Sequence, residues 1–425
     1  MRDIHATHNL IAVSANARET AINTEQTLDT TMLCSIDDTA NLEPRREHNG
    51  SQPTGKEEPD TIYDLGATGS LPLSFEMAQP QHFAFLLGYG LGSVSTAARG
   101  DGYRHTITPI TGDLDALRSN PSFTAAMRYG STVLKRRLAS LVINSIEATF
   151  AADDWVKIKG EAISTGKVTE SVTEESITAA ENVTTLTLAT NGVQGSTAAE
   201  RLDNVHRIVV ELSSGVWTEV AYSAVSAAAP AAITITAPGE GVTERTFKVL
   251  YAPTAETWMT FPSRVVETPL RISQMTLNVG GAWDGSAFAG GRQLTAELGT
   301  LTYRLDNAMQ VKFVPGSSGA YAGRALRGGR TQTLSLDREF REYIMQRHIA
   351  ANDTFGVHIV CQGDFYDSTN HYQVELVFPK VGVLKAPVSV RDKRLAEVGD
   401  LQVLEHDTYG SVICRVDNKG ETYAA

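Results

Sequence analysis

From Thr30 onward the chain breaks into short runs of β-branched, aromatic and other apolar residues, each closed by Gly, Pro, Asn or Asp. The clearest runs are Leu141–Phe150, Trp155–Ile163, Thr184–Leu188, Arg207–Leu212, Ala232–Ile235, Phe247–Tyr251, Met275–Val279, Leu301–Leu305, Val311–Val314, Phe355–Cys361, Tyr372–Phe378 and Val412–Val416. Runs of roughly 4–10 residues, alternating or continuous, suit strands buried on one or both faces. Helical periodicity is scarce, so the chain is expected to be mainly β. At 425 residues it exceeds one ordinary core, and two or three domains are expected.

Two helices stand out. Pro80 opens the first, at a position where its missing N–H costs nothing; Phe83, Leu86 and Leu87 form one face and the glycines of residues 88–92 end it. Asp337 is the expected N-cap of the second, with Phe340, Tyr343 and Ile344 as its apolar stripe and Arg338, Glu339, Arg341, Glu342 and Arg347 on the wet face. Each helix follows a strand, a long loop and another strand. These are Thr31–Ser35, Glu43–Asp60 and Leu71–Phe75 before the first, and Leu301–Phe313, Pro315–Gly329 and Thr331–Leu336 before the second. The expectation is two copies of one unit, residues 31–166 and 254–425, with chance similarity as the alternative. Residues 1–30, poor in large apolar side chains, read as an extended arm or a poorly ordered lead-in. Residues 167–253, rich in Thr, Val, Ala and Ser with turns at Asn191-Gly192 and Pro238-Gly239, read as a small β-sandwich or barrel inserted at an exposed surface.

Chemistry is hard to find. The ten histidines form no HxH or HExxH cluster, and Cys34, Cys361 and Cys414 lack metal-ligand spacing. Adjacent acids such as Asp153-Asp154 and Glu174-Glu175 point to opposite faces of a strand and cannot share acid–base work. The glycines of residues 88–92 close a helix, whereas a dinucleotide loop opens one. No catalytic residue, cofactor-binding residue or metal ligand is expected; the chain does not read as an enzyme. A net charge of −12 opposes nucleic-acid binding, which needs cations to displace condensed counterions, but suits a conduit through which DNA slides. The run from Tyr222 to Ile235 falls short of the about 20 apolar residues a membrane helix needs, and the start of the chain has no signal-peptide core.

The two long loops are the strongest binding candidates. Pro315–Gly329 carries Arg324 and Arg327, with Arg330 beside it, and no acid. Glu43–Asp60 sets Glu43, Glu47, Glu57, Glu58 and Asp60 beside Arg45, Arg46 and Lys56. Their opposite charge fits contact between stacked subunits. Two unrelated surface loops, or a phosphate site on the arginines, are the alternatives.

Several stretches resemble the major tail tube proteins of long-tailed, siphovirus-like bacteriophages. In the second half these are the run from Thr331 to Phe340, then Phe355–Gly363, Tyr372–Lys380, Leu401–Asp407 and Val416–Tyr423; in the first half, the stretch from Gly66 through Gln79 to Gly92. The likeness covers roughly residues 30–165 and 265–425. It implies a tail-tube fold of two packed β-sheets, one flanking helix and a long hairpin loop. Strands of neighbouring subunits would complete an inner β-barrel, and rings would stack through the loops. A family ring holds six such folds, so a duplicated chain implies homotrimeric pseudo-hexameric rings, and an unduplicated one homohexameric rings. The inserted module would decorate the outside. Implied partners are further copies of the chain, a tape measure protein in the lumen, and tail terminator and baseplate proteins at the ends. DNA would pass without specific binding. The expected place is the virion tail, after assembly in the host cytoplasm. Alternatives are a tail terminator or baseplate component on the same fold, and a β-rich adhesin or carbohydrate-binding protein.

Overall fold

A computed structural model describes residues 5–53, 55–110, 120–130, 132–213, 215–316, 318–391 and 393–425. The first residues of the expected arm, residues 111–119 of the expected first copy, and Thr54 and Ser317 of the two loops lie outside them. The protein is mainly β, 53% strand and 9% helix, in antiparallel sheets; among the described residues no sheet closes into a barrel. Three helices are described: α1 (Pro80–Leu91), α2 (Ala198–Asp203) and α3 (Ile344–Ala351). The chain forms two compact units. One comprises Ala12–Ala125, Leu138–Lys167 and Pro262–Ala425; the other comprises Met1–Ile11, Ala126–Arg137 and Val168–Phe261.

The larger unit is built on a sheet of eight strands, numbered here along the chain: β1 (Asn41–His48), β2 (Ile62–Phe75), β3 (Lys135–Ala151), β4 (Lys157–Ser164), β5 (Leu298–Asp306), β6 (Thr331–Glu339), β7 (Val388–Arg391) and β8 (Arg394–Val403). In space they run β1-β2-β4-β3-β5-β6-β8-β7, every neighbour antiparallel. The first four and the last four follow the same order. The two sets are spliced where Ser145–Ala151 of β3 pairs with Thr300–Asp306 of β5.

Alternation explains the layering. Leu71, Leu73 and Phe75 of β2, Ile146, Ala148 and Phe150 of β3, and Leu301, Tyr303 and Leu305 of β5 are buried on one face, while the residues between them point outward. A second antiparallel sheet runs Gly92–Arg99, Gly102–Pro109, Ile413–Asn418, His371–Lys385, Phe355–Phe365, Met275–Trp283, Phe288–Gln293. The far half of His371–Lys385 crosses to pair with β8 and so ties the two sheets together.

Every residue of α1 is buried, beyond the single apolar face expected of it. The reason is its place between the layers. A Cβ on Gly90 would meet Ile146 at 2.6 Å and Leu305 at 3.3 Å, so glycine lets the helix lie close on the splice. Pro80 takes the first turn as expected, and the helix stops at Gly92, in the left-handed region at φ 93°.

Two local expectations are corrected. Asp337 caps no helix: it sits within β6 opposite Val398 and Thr300, and α3 begins seven residues later at Ile344. Gln332, Leu334, Leu336 and Arg338 are buried in strict alternation, so the strand pattern runs on through the supposed cap. The charge of Arg338 disguised its inward position. Residues 12–30 are pinned, with Ala12 to Ala15 fully buried, Tyr89 donating to the Ser14 carbonyl at 2.7 Å, and the Glu19 carboxylate accepting from Ser122, Thr124 and Ser140.

The smaller unit packs a four-stranded sheet (Thr173–Ala180, Glu244–Tyr251, Val205–Ser213, Val216–Glu219) with a three-stranded one (Thr185–Thr187, Ala232–Ile235, Tyr222–Val225). Their shared core includes Leu186, Ile208, Val210, Ile233, Phe247, Val249 and Tyr251. Thr197 and Glu200 cap α2 reciprocally, as the Thr-x-x-Glu spacing allows.

Candidate assembly surface

The outward face of the large sheet is small and polar. Across the splice it presents Ser145, Thr149, Thr300 and Thr302, and five cations of this sheet are paired with acids. Glu147 takes Lys159 at 2.8 Å and Arg304 at 2.6 Å, the second bond crossing the splice. Partial burial raises the Glu147 carboxyl, but its two cations outweigh this and hold it below the usual range. Arg391 meets Asp337 at 2.6 Å, Arg394 meets Glu339 at 2.7 Å, and Lys385 meets Asp400 at 2.9 Å. A concavity of about 550 Å³ on this face is lined by Asn41, Ser70, Ser145, Glu147, Lys159 and Arg304, among others.

The sheet has two open borders. Among the described residues β1 pairs along one side only, with β2, and β7 pairs only with β8. The β7 border is apolar: Val388, Val390, Leu384 and Leu395 are exposed, Val390 to 73%. The β1 border is polar and carries Pro44, a residue tolerated where no ladder bond is required of it.

Both long loops are largely hairpins. β1 and β2 form the first; Met309–Lys312 and Arg324–Arg327 form the second. They emerge at the same end of the sheet, because β1 and β5 run in the same direction. They also touch within one chain: Ala67 N–H donates to the Ala320 carbonyl at 2.9 Å, and the Arg45 guanidinium lies 4.5 Å from the Phe313 ring centre. Gly66, at φ 89°, permits this approach, since a Cβ there would stand 2.4 Å from the Gly319 carbonyl.

The anticipated stacking residues separate into groups. Arg46 and Glu47 are exposed on β1, Glu57 and Glu58 are exposed near the hairpin tip, and Lys56 binds Asp60 at 2.6 Å. Arg324 is exposed, opposite Lys312. Arg327 is half-buried and donates to Asn120 at 3.4 Å. Arg330 lies off the loop altogether. It donates to Asn307 and to the Gly90 and Leu91 carbonyls at the end of α1, and burial draws its pKa down to about 10.

Residue types gave no warning of the strongest buried electrostatics. Arg338, 1% exposed, is gripped by Glu297 at 2.8 Å and Glu397 at 2.6 Å. Asp417, equally buried, takes Arg99 and Arg104. Cys361 and Cys414 are buried free thiols, and burial pushes Cys361 up to about 12. Among the described residues no helix is long and apolar enough to cross a membrane. The chain matches no protein-family model and no curated protein.

Proposed function

We propose that the protein is a self-assembling structural subunit of a phage tail tube, three chains closing each ring. The observation that carries this reading is the splice. Four strands in the order β1-β2-β4-β3 continue into four more in the order β5-β6-β8-β7 through ordinary antiparallel pairing. The end strands β1 and β7 occupy the places that β5 and β3 occupy at the splice. Joining β7 of one copy to β1 of the next therefore repeats a contact the chain already makes with itself. An open border is a hazard in a monomer and the means of closure in a ring.

The outward face suits a channel lining. DNA phosphates bind cations that are free to displace counterions, and here Lys159, Arg304, Lys385, Arg391 and Arg394 are already occupied by carboxylates. The exposed apolar side chains at β7 would be covered by the neighbouring copy, removing about 25 cal/mol of unfavourable exposure per Å².

Sedimentation of the purified chain, with negative-stain microscopy, tests the proposal. Rings of three copies extending into hollow tubes are expected. Protein that stays monomeric at the highest attainable concentration would falsify it, and closed rings that never extend would favour a terminator.

A further inference from the structure

One cavity of the larger unit brings two arginines together with no carboxylate bonded to either. It holds about 720 Å³, within the usual range of small-molecule sites. Its walls come from both sheets: Thr108 and Pro109 from the strand Gly102–Pro109, Gln332 from β6, and Gln402 from β8, with the turn at Thr408–Ser411 beside them. Arg327, at the foot of the second hairpin, and Arg330 complete it. Elsewhere in this unit inward-turned arginines meet carboxylates, as Arg338 meets Glu297 and Glu397, and as Arg99 and Arg104 meet Asp417. Here the partners are neutral. Arg327 has the Asn120 amide oxygen; Arg330 has the Asn307 amide oxygen and the Gly90 and Leu91 carbonyls. The Nε–H of Arg327 is buried and has no hydrogen-bond partner among the described residues. Native structures rarely leave a buried donor unmet unless an ion or water meets it.

Charge points the same way. Burial lowers the pKa of both guanidinium groups, and repulsion from Arg327 lowers that of Arg330 further. Glu405, the single acid among the described lining residues, is exposed and acts on Arg330 without bonding to it. Screening confines such fields to about 10 Å at roughly 0.1 M salt, so the chain's net charge of −12 does not cancel the local pair. We propose that the cavity binds a small phosphate-type oxyanion, gripped by the Arg327 Nε–H and by the N–H groups of Arg330 left over by Asn307, Gly90 and Leu91. A guanidinium offers its N–H groups in one plane, where two oxygens of a phosphate can meet them together. Thr108, Thr408 and Ser411 line the same space with hydroxyls for the remaining oxygens. The walls belong to one chain, so the site does not rest on the tube reading. A bound anion ties the foot of the second hairpin to both sheets and stabilises the folded chain by mass action.

Calorimetric titration of the full chain with inorganic phosphate, at an ionic strength held constant with chloride, tests the site. Wild type is expected to take up one phosphate saturably, with Kd on the order of 1 mM, and to gain about 2 °C in thermal midpoint at saturation. Arg327→Gln should weaken binding about tenfold or more, because a charged donor is lost. Arg327→Lys, which keeps the charge without the planar fork, should fall between. Arg324→Gln, an exposed change on the same strand, should leave affinity unaltered. Glu405→Gln removes the opposing acid and should tighten binding about threefold. Glu405 is exposed, so this variant keeps its fold and tests the site even if Arg327 resists replacement. Absence of saturable uptake below about 20 mM phosphate overturns the proposal. So does equal weakening by Arg324→Gln and Arg327→Gln, the mark of diffuse attraction to surface cations, and so does an affinity that Glu405→Gln leaves unmoved. A short DNA duplex that binds more tightly than free phosphate, and loses its binding in Arg327→Gln, overturns the small-ligand assignment.

Discussion

The splice and the open β7 border are two ends of similar four-stranded sets, yet they are backed differently. Behind the splice lies α1, buried along its whole length and seated on Ile146 and Leu305 through Gly90. Behind the border lies α3, in which only Met345 is buried. Beside it the Arg338 guanidinium stands between Glu297 and Glu397, with Gln346 donating to Glu397 and to the Ala386 carbonyl. The splice is thus backed by apolar packing, whereas the β7 border is backed by buried ions and leaves valines in water. Directional ionic contacts can keep a sheet end in shape where no apolar layer covers it. Apolar packing needs both sides present.

The largest effect expected from this contrast is at Arg338. Replacing it with Ala strands two carboxylates in the interior and should cost about 3–5 kcal/mol in urea unfolding. A loss under about 1 kcal/mol would show that the ion cluster does not hold this end.

The splice side can be probed through Glu267, whose carboxylate accepts from the Gln81 N–H at 2.8 Å in the first turn of α1. Burial raises its pKa to about 7, against an opposing pull from that N–H. A carboxyl raised on folding contributes stability that is complete below the unfolded value, near 4.5, and is lost as pH climbs through about 7. The swing is on the order of 3 kcal/mol. Thermal melts from pH 4.5 to 8 should therefore show a downward slope that Glu267→Gln flattens. An unchanged slope in the variant would assign it to other groups.

The smallest effect on folding, and the most selective, is expected at Val390. Val390→Asp should alter the stability of the isolated chain by no more than about 0.5 kcal/mol, because the side chain is already in water. It should abolish ring formation in sedimentation. Rings that persist would place the subunit contact elsewhere.

Much of this was legible in the residues. Strand runs such as Met275–Val279, Phe247–Tyr251 and Tyr372–Phe378 lie inside strands, since burial on a pleated face writes period two into composition. Pro80 and Gly92 bracket α1 as their backbone preferences require. The two loops were visible as long charged stretches, but not as hairpins that touch each other. Residues far apart in the chain, such as Arg45 and Phe313, leave no local trace of their meeting. Arg330 illustrates the same limit: an arginine beside a flexible loop reads as exposed, and only the fold shows it turned inward to the carbonyls of Gly90 and Leu91.

What the chain determined by itself was local: which stretches extend, where one helix starts and stops, and an acidic balance hostile to phosphate. These follow from side-chain shape and charge acting over a few residues. Tertiary structure alone decided which strand became a border, which cation was already paired, and that both hairpins share one end. Each of those depends on pairing between strands, from the few residues between Arg391 and Arg394 to the more than 150 between Glu147 and Arg304, where register and direction emerge only once the sheet has formed.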